Sequence, residues 1–333
     1  VSDLSPGAAN AVNVCMAVGR KDTVLVITDE EAEDIGHALA SEAELAGAPA
    51  HLLVIEQFTS RPALAYPQAL DERINAINPT VSFYAAAAQE GELGPFRRPL
   101  MNHLVHEIKT RHGHMVGITR QLMTEGMVAD YEEISRLTLQ VNDIVKEARE
   151  IEVQAPSGTD MRSTFDPARM RWHPCNGLYH APGEWGNLPE GETFTSPASL
   201  DGLIGAEVLG DHFSAKYGVL AQPLRLEVED ARVRKVLHPD DELRQDFEQY
   251  LRQHENSNRA GEFAIGTNVG LKKLSGNLLQ DEKIPGVHVA FGYPYPEETG
   301  ADWDCPSHCD VVTTRSTIKV DGQYLMRDGE FVI

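Results

Sequence analysis

The chain changes character near residue 150, and that change limits the folds open to it. Before it, short apolar runs alternate with helical segments. Residues 22–28 (DTVLVIT) are a run rich in Val and Ile, the pattern of a strand covered on both faces. Residues 29–47 follow with helical periodicity, and Gly47 stands where a helix would stop. The same alternation predicts strands at 50–56, 81–86 and 114–118, and helices at 67–76 and 100–111. Residues 125–151 read as one long polar-faced helix or a pair. Such alternation implies a parallel sheet with helices on both faces.

After residue 150 helices become scarce, while Gly, Pro, Thr and Trp become common. Residues 219–237 contain two short alternating runs that can pair, and 240–254 read as a helix. Short strands are expected at 262–266, 287–292, 310–314 and 317–320, with a closing hairpin around Asp328-Gly329. The expected fold is therefore an α/β N-terminal domain with a parallel sheet, residues 1–150, and a strand-rich α+β C-terminal domain, residues 151–333. A chain of 333 residues suits two cores.

The formal net charge of -22 would repel a phosphate backbone, so nucleic acid is not an expected partner. No run approaches the roughly 20 apolar residues of a membrane helix. Residues 1–10 show no basic segment leading into an apolar run, so no signal peptide is expected. Cys15, Cys175, Cys305 and Cys309 are too few and too irregular for a disulfide framework, which suits a reducing cytoplasm. Cys305 and Cys309 flank His308, but no second pair completes a zinc knuckle.

Several catalytic motifs are missing: there is no phosphate loop, no nucleophile elbow and no zinc-binding HExxH helix. The first strand ends in Thr28-Asp29-Glu30-Glu31, an acidic turn poorly suited to a pyrophosphate. His103, His106, His112 and His114 lack a matching carboxylate or cysteine and read as structural. The C-terminal half is richer. In HCD, 308–310, strand alternation points His308 and Asp310 the same way and Cys309 the other. Glu262 stands alone in an apolar strand (GEFAIG, 261–266), a costly place for a carboxylate unless it meets a cation. His288 is the single polar group of VHVAFG, 287–292, and Glu192 lies in the turn-rich NLPEGETFTSP, 187–197. Together these residues are the inventory of a site for one or two divalent metal ions.

Taken in order, these segments resemble the aminopeptidase T and aminopeptidase S family of metallopeptidases. The resemblance covers about residues 155 to 315, beginning with a turn at Gly158-Thr159-Asp160. It implies metal ligands at Glu192, Glu262, His288, His308 and Asp310, and a functional tyrosine at Tyr295, seven residues after His288. The iron-dependent 2,5-dihydroxypyridine 5,6-dioxygenases share this fold and the closing HxD, but carry histidine where this chain has Glu262. The reading that follows is a metal-dependent hydrolase, with Zn, Co or Mn activating water against a peptide or amide bond of a small substrate or short peptide. Glu262 or Glu192 would accept the water proton and Tyr295 would stabilise the oxyanion. The alternative is a non-heme iron ring-cleaving dioxygenase using His288, His308 and Asp310. The resemblance also implies a homodimer with an enclosed cavity. Trp172, His173 and Trp185 are expected to line the pocket or to pack.

Overall fold

The computed structural model describes residues 3–210 and 212–333; the first two residues of the stretch read above for a leader lie outside them. The chain divides into two compact units, residues 1–135 with 177–190, and 136–176 with 191–333. It therefore passes between them three times, and the compositional change near residue 150 falls inside the second unit.

In the first unit the apolar runs pair as a parallel sheet. Among the described residues its strand order is Ala50–Val54, Val24–Thr28, Val81–Ala86, Arg111–Val116 and Trp185–Asn187. Leu25 and Ile27 face a core built with Leu70, Ile74, Leu100 and Leu104, which the segments at 68–77 and 98–107 supply. Thr28 and Leu52 point to the opposite face, where the helix Glu33–Leu45 lies so close that a side chain at Gly36 would meet both. Helices thus cover both faces, which is why Val24–Thr28 is buried at every position.

Three of the expected elements depart from expectation. The expected helix over 100–111 is an α-turn, Arg98–Met101, continued as a wider π-turn, Asn102–Glu107. The next strand begins at Arg111 rather than 114, because the sheet takes in His112 and His114 as buried neutral rings. The helix expected over 125–151 is confined to Tyr131–Val145, and Glu150–Gln154 is already a strand.

The crevice where the strand order reverses, between the ends of the parallel strands Val24–Thr28 and Val81–Ala86, is filled from within. The Arg61 guanidinium pairs with Asp29, donates to Glu92 Oε1 at 3.0 Å and Oε2 at 2.6 Å, and to the Ala87 carbonyl at 2.8 Å. Open α/β sheets usually bind ligands at this point. Here an internal ion-pair network occupies it.

The second unit contains two antiparallel sheets. One runs Arg232–Leu237, Leu224–Glu229, Ser199–Ala206, Asp160–Thr164, Glu150–Gln154, Thr317–Val320, Gln323–Arg327 and Glu330–Phe331. The other runs Val208–Leu209, His308–Thr314, Gly286–Gly292, Ala260–Gly266, Glu192–Thr195 and His173–Cys175. They share one core. Phe263, Ile265, Val287, Val289, Phe291, Cys309 and Val311 from the second sheet meet Ile151, Val153, Leu200, Ile204, Leu226 and Ile318 from the first. Trp172 belongs to this core, 5.3 Å from Phe165 and 6.2 Å from Phe263 between ring centroids, so it packs and does not line a pocket. Trp185 sits on the parallel sheet of the first unit with its side chain half exposed. Among the described residues no helix is long and apolar enough to cross a membrane.

Candidate metal centre

Because one face of the second antiparallel sheet is the core, the alternate residues of the same strands must point away from it. Those residues are Glu192 and Phe194, Glu262 and Ala264, His288 and Ala290, and His308 and Asp310. Glu192 lies on a short strand, not in the loop its turn-rich surroundings suggest; pairing with Ala260–Gly266 satisfies its backbone. A bulge at Gly261 sets the phase of the next strand. The register shifts between Ala260 and Glu262, so Ala260, Phe263 and Ile265 keep the core face while Glu262 turns to the other. No side chain fits at Gly261, where a Cβ would come within 2.1 Å of the Gly292 carbonyl oxygen.

In register, Glu262 and Asp310 lie on either side of Ala290. The small alanine leaves the two carboxylates free to converge above it. His288 Nε2 lies 3.4 Å from Glu262 Oε1, 3.5 Å from Glu192 Oε2 and 3.9 Å from Asp310 Oδ1. His308 Nε2 lies 3.4 Å from Glu262 Oε2 and 3.5 Å from Asp310 Oδ2. Ligand atoms about 2.1 Å from a tetrahedral ion stand roughly 3.4 Å apart, so these separations suit a coordination shell.

The imidazoles are oriented as metal ligands usually are. His288 Nδ1 is 3.0 Å from the Glu282 carbonyl and His308 Nδ1 is 3.1 Å from that of Tyr293, which leaves both Nε2 atoms facing the carboxylates. Glu192 Oε2 is buried without a hydrogen bond, the kind of orphaned acceptor a cation satisfies. Three overlapping groups could hold an ion: Glu192, Glu262 and His288; Glu262, His308 and Asp310; and Glu282, His288 and Asp310. The donor set therefore fits one or two divalent cations.

The electrostatics agree. Burial alone would lower the His288 pKa, but the carboxylates of Glu262, Glu192 and Asp310 override it and raise the value to about 10. His308 is raised to about 9 in the same way, against burial, chiefly by Asp310 and Glu262. In the metal-free chain the imidazoles thus carry the positive charge that the carboxylates require. Burial, reinforced by Glu262, Asp310, Glu282 and Glu192, pushes the Tyr295 phenol well above its ordinary value, so it remains a hydrogen-bond donor. Tyr295 stands edge-on to His308 with centroids 5.1 Å apart, and its backbone is left-handed, φ 51°. That conformation is uncommon for a large side chain and tends to mark functional positions.

All six residues expected at the site are brought together. Two others were missed, Glu282 and Lys283. Lys283 is fully buried, with Nζ 2.7 Å from Glu192 Oε1 and 2.9 Å from Glu282 Oε1. In sequence they form part of a charged turn, Asp281-Glu282-Lys283, which looks solvated; only its proximity to the apolar strand 286–292 hints otherwise. The histidines of the first unit form no metal group among the described residues. His103 bonds Glu107 at 2.9 Å, and His112 and His114 are buried in the sheet. None of the four cysteines is in a disulfide. Cys305 contacts Ser307 and Ser257, and Cys309 faces the core, so no zinc knuckle forms.

A parallel α/β unit joined to an antiparallel unit, with a buried His/Glu/Asp cluster on one sheet face, defines a protein built around a candidate metal centre. Residues 111–326 match the thermophilic metalloprotease family (M29), and the chain belongs to that family. Its fold is similar to wild-type AmpT from Thermus thermophilus, at 16% identity and TM-score 0.74, covering 99% of each chain. It is comparably similar to 2,5-dihydroxypyridine dioxygenase from Pseudomonas putida KT2440, at 17% identity and TM-score 0.71, covering 100% of this chain and 98% of the other. No curated protein matches the sequence.

Proposed function

We propose that this protein is a metal-dependent hydrolase that cleaves a peptide or amide bond of a small substrate or short peptide, with Glu192, Glu262, His288, His308 and Asp310 as ligands of one or two divalent ions. One observation carries the choice over the dioxygenase reading. Every ligand group among the described residues combines one imidazole with two carboxylates, and none contains both His288 and His308. A ring-cleaving iron site would need the two imidazoles and one carboxylate on one face. Carboxylate-rich groups sharing Glu262 suit zinc, cobalt or manganese in a hydrolytic centre.

A divalent ion held there would polarise the scissile carbonyl and lower the pKa of water. Glu262 directs one oxygen toward each imidazole, so it is the natural shared ligand. Glu192 keeps Oε2 without a hydrogen bond, so it is the better-placed proton acceptor of the two glutamates. Tyr295, protonated at working pH, would donate to the developing oxyanion. The concentrated negative charge favours a substrate with a cationic amino terminus. The active protein is proposed to be a homodimer, which light scattering on a sizing column tests directly.

The deciding experiment measures metal per chain after gentle purification, then turnover of short peptides and aminoacyl amides with zinc, cobalt or manganese. Hydrolysis with one or two such ions per chain is the expected result. Retention of iron alone, with oxygen uptake on a dihydroxypyridine and no amide cleavage, would replace this reading with the dioxygenase.

A further inference from the structure

The three ligand groups are not equivalent, and the difference lies in a side chain outside all of them. Lys283 follows the short helix Leu278–Asp281, in a turn fixed by the Asp281 carboxylate, which accepts from Ser275 N at 2.7 Å, Ser275 Oγ at 2.8 Å and Gly276 N at 2.7 Å. That turn buries the Lys283 ammonium between Glu192 and Glu282. Glu192 and Glu282 are the carboxylates that separate the two His288 groups from the His308 group. Each position containing His288 therefore has a carboxylate already bonded to a resident cation. The Glu262, His308 and Asp310 position has none.

We propose that Lys283 grades the metal centre, making the His308 position tight and the His288 position weak and exchangeable. The inference rests on the metal-site reading above and adds an order of occupancy to it. Two effects act in the same direction. The ammonium engages Glu192 Oε1, so Glu192 can offer a cation only Oε2. Its charge also neutralises part of the field that would attract a second ion and repels that ion directly at close range. Lys283 is thus a positioning residue, acting through Glu192 and Glu282.

Equilibrium dialysis with zinc, and cobalt titration followed by visible absorbance, would test this on the metal-free full-length chain. Wild type is expected to bind one ion tightly and the second at least about tenfold more weakly. Lys283→Met should narrow that gap about tenfold, or add a second ion where wild type takes one. Lys283→Arg, which keeps the charge, should behave as wild type. Glu192→Gln should remove only the weak class and His308→Ala, the one residue confined to the His308 group, the tight one. Two equal sites in wild type, an unchanged gap in Lys283→Met, or loss of the tight class in Glu192→Gln would each overturn the proposal. Circular dichroism checks that Lys283→Met folds; if it does not, the wild-type and Glu192→Gln isotherms still decide. A wild type that binds no ion under any condition fails differently, because it removes the metal-site reading itself.

Discussion

At the scale of single residues, the centre depends on groups whose burial is favourable only in company. Glu262 is 4% exposed in a strand otherwise made of apolar residues and glycine, and its carboxylate is shared by two ligand groups. Glu262→Gln keeps the shape and removes the charge. Metal affinity should fall by more than about a hundredfold, the upper end of what losing a mere outer-shell partner costs. The fold should survive, since one of several crowded carboxylates has gone; an altered far-ultraviolet circular dichroism spectrum would argue against that view. A different residue effect belongs to the first unit. His112 is fully buried, 2.7 Å from Ser82 Oγ and 3.3 Å from His114, and burial lowers its pKa to about 3. His114 is depressed well below its ordinary value, by burial and then by His112 and Arg97. An unfolded chain takes up both protons near pH 6.5 and the folded one does not. The stabilisation from neutral rings is therefore complete above about 6.5 and is lost as pH falls below it, for His112 down to about 3, with each histidine adding the slope of one proton. Urea midpoints should decline accordingly from pH 6 to pH 5, where His288 and His308, with their raised values, are protonated in both folded and unfolded chains. Their decline should be shallower by about one proton in His112→Asn.

At the scale of elements, a strand's alternation does two jobs at once. The sheet of the second unit gives Phe263, Val289 and Val311 to the core and Glu262, His288 and Asp310 to the centre. Space for an ion would come from the small residues between the candidate ligands, above all Ala290 between Glu262 and Asp310. Ala290→Val should leave the strand paired, at a cost of about 1–3 kcal/mol for overpacking, yet obstruct the convergence of the two carboxylates. Near-stoichiometric metal retention by this variant would show that the space above Ala290 is not where the ion sits. At Gly261 the bulge keeps the phase right on both sides. A side chain there would push against the Gly292 carbonyl and turn Glu262 out of register.

At the scale of the whole molecule, Glu192, Glu262, His288, His308 and Asp310 all come from one unit, on four strands separated by up to 118 positions, from Glu192 to Asp310. Chelating the metal should therefore accelerate amide exchange in Glu192–Thr195, Ala260–Gly266, Gly286–Gly292 and His308–Thr314, and leave Val24–Thr28 and Val81–Ala86 unchanged; exchange mass spectrometry reads both sets. A uniform change across all six strands would contradict a metal role confined to the second unit. Much of this architecture is local information. Hydrophobic period alone determined the strands Val24–Thr28, Ala50–Val54 and Val81–Ala86 and the helices Glu33–Leu45 and Gln68–Ile77, the hairpin within residues 219–237, and the shared direction of His308 and Asp310, because side-chain direction in a strand follows from its own backbone. A charged residue isolated in an apolar strand, such as Glu262 or His288, was likewise legible, because burial without compensation is costly wherever it occurs. Glu282 and Lys283 were not legible, nor was the packing of Trp172 against Phe165 and Phe263. Their roles depend on neighbours remote in sequence, and a charged turn or an aromatic in a loop has the same local pattern whether it faces water, a core or a cation. Only tertiary structure brings Lys283 to Glu192, because electrostatic pairing depends on distance in space, which local sequence pattern does not encode.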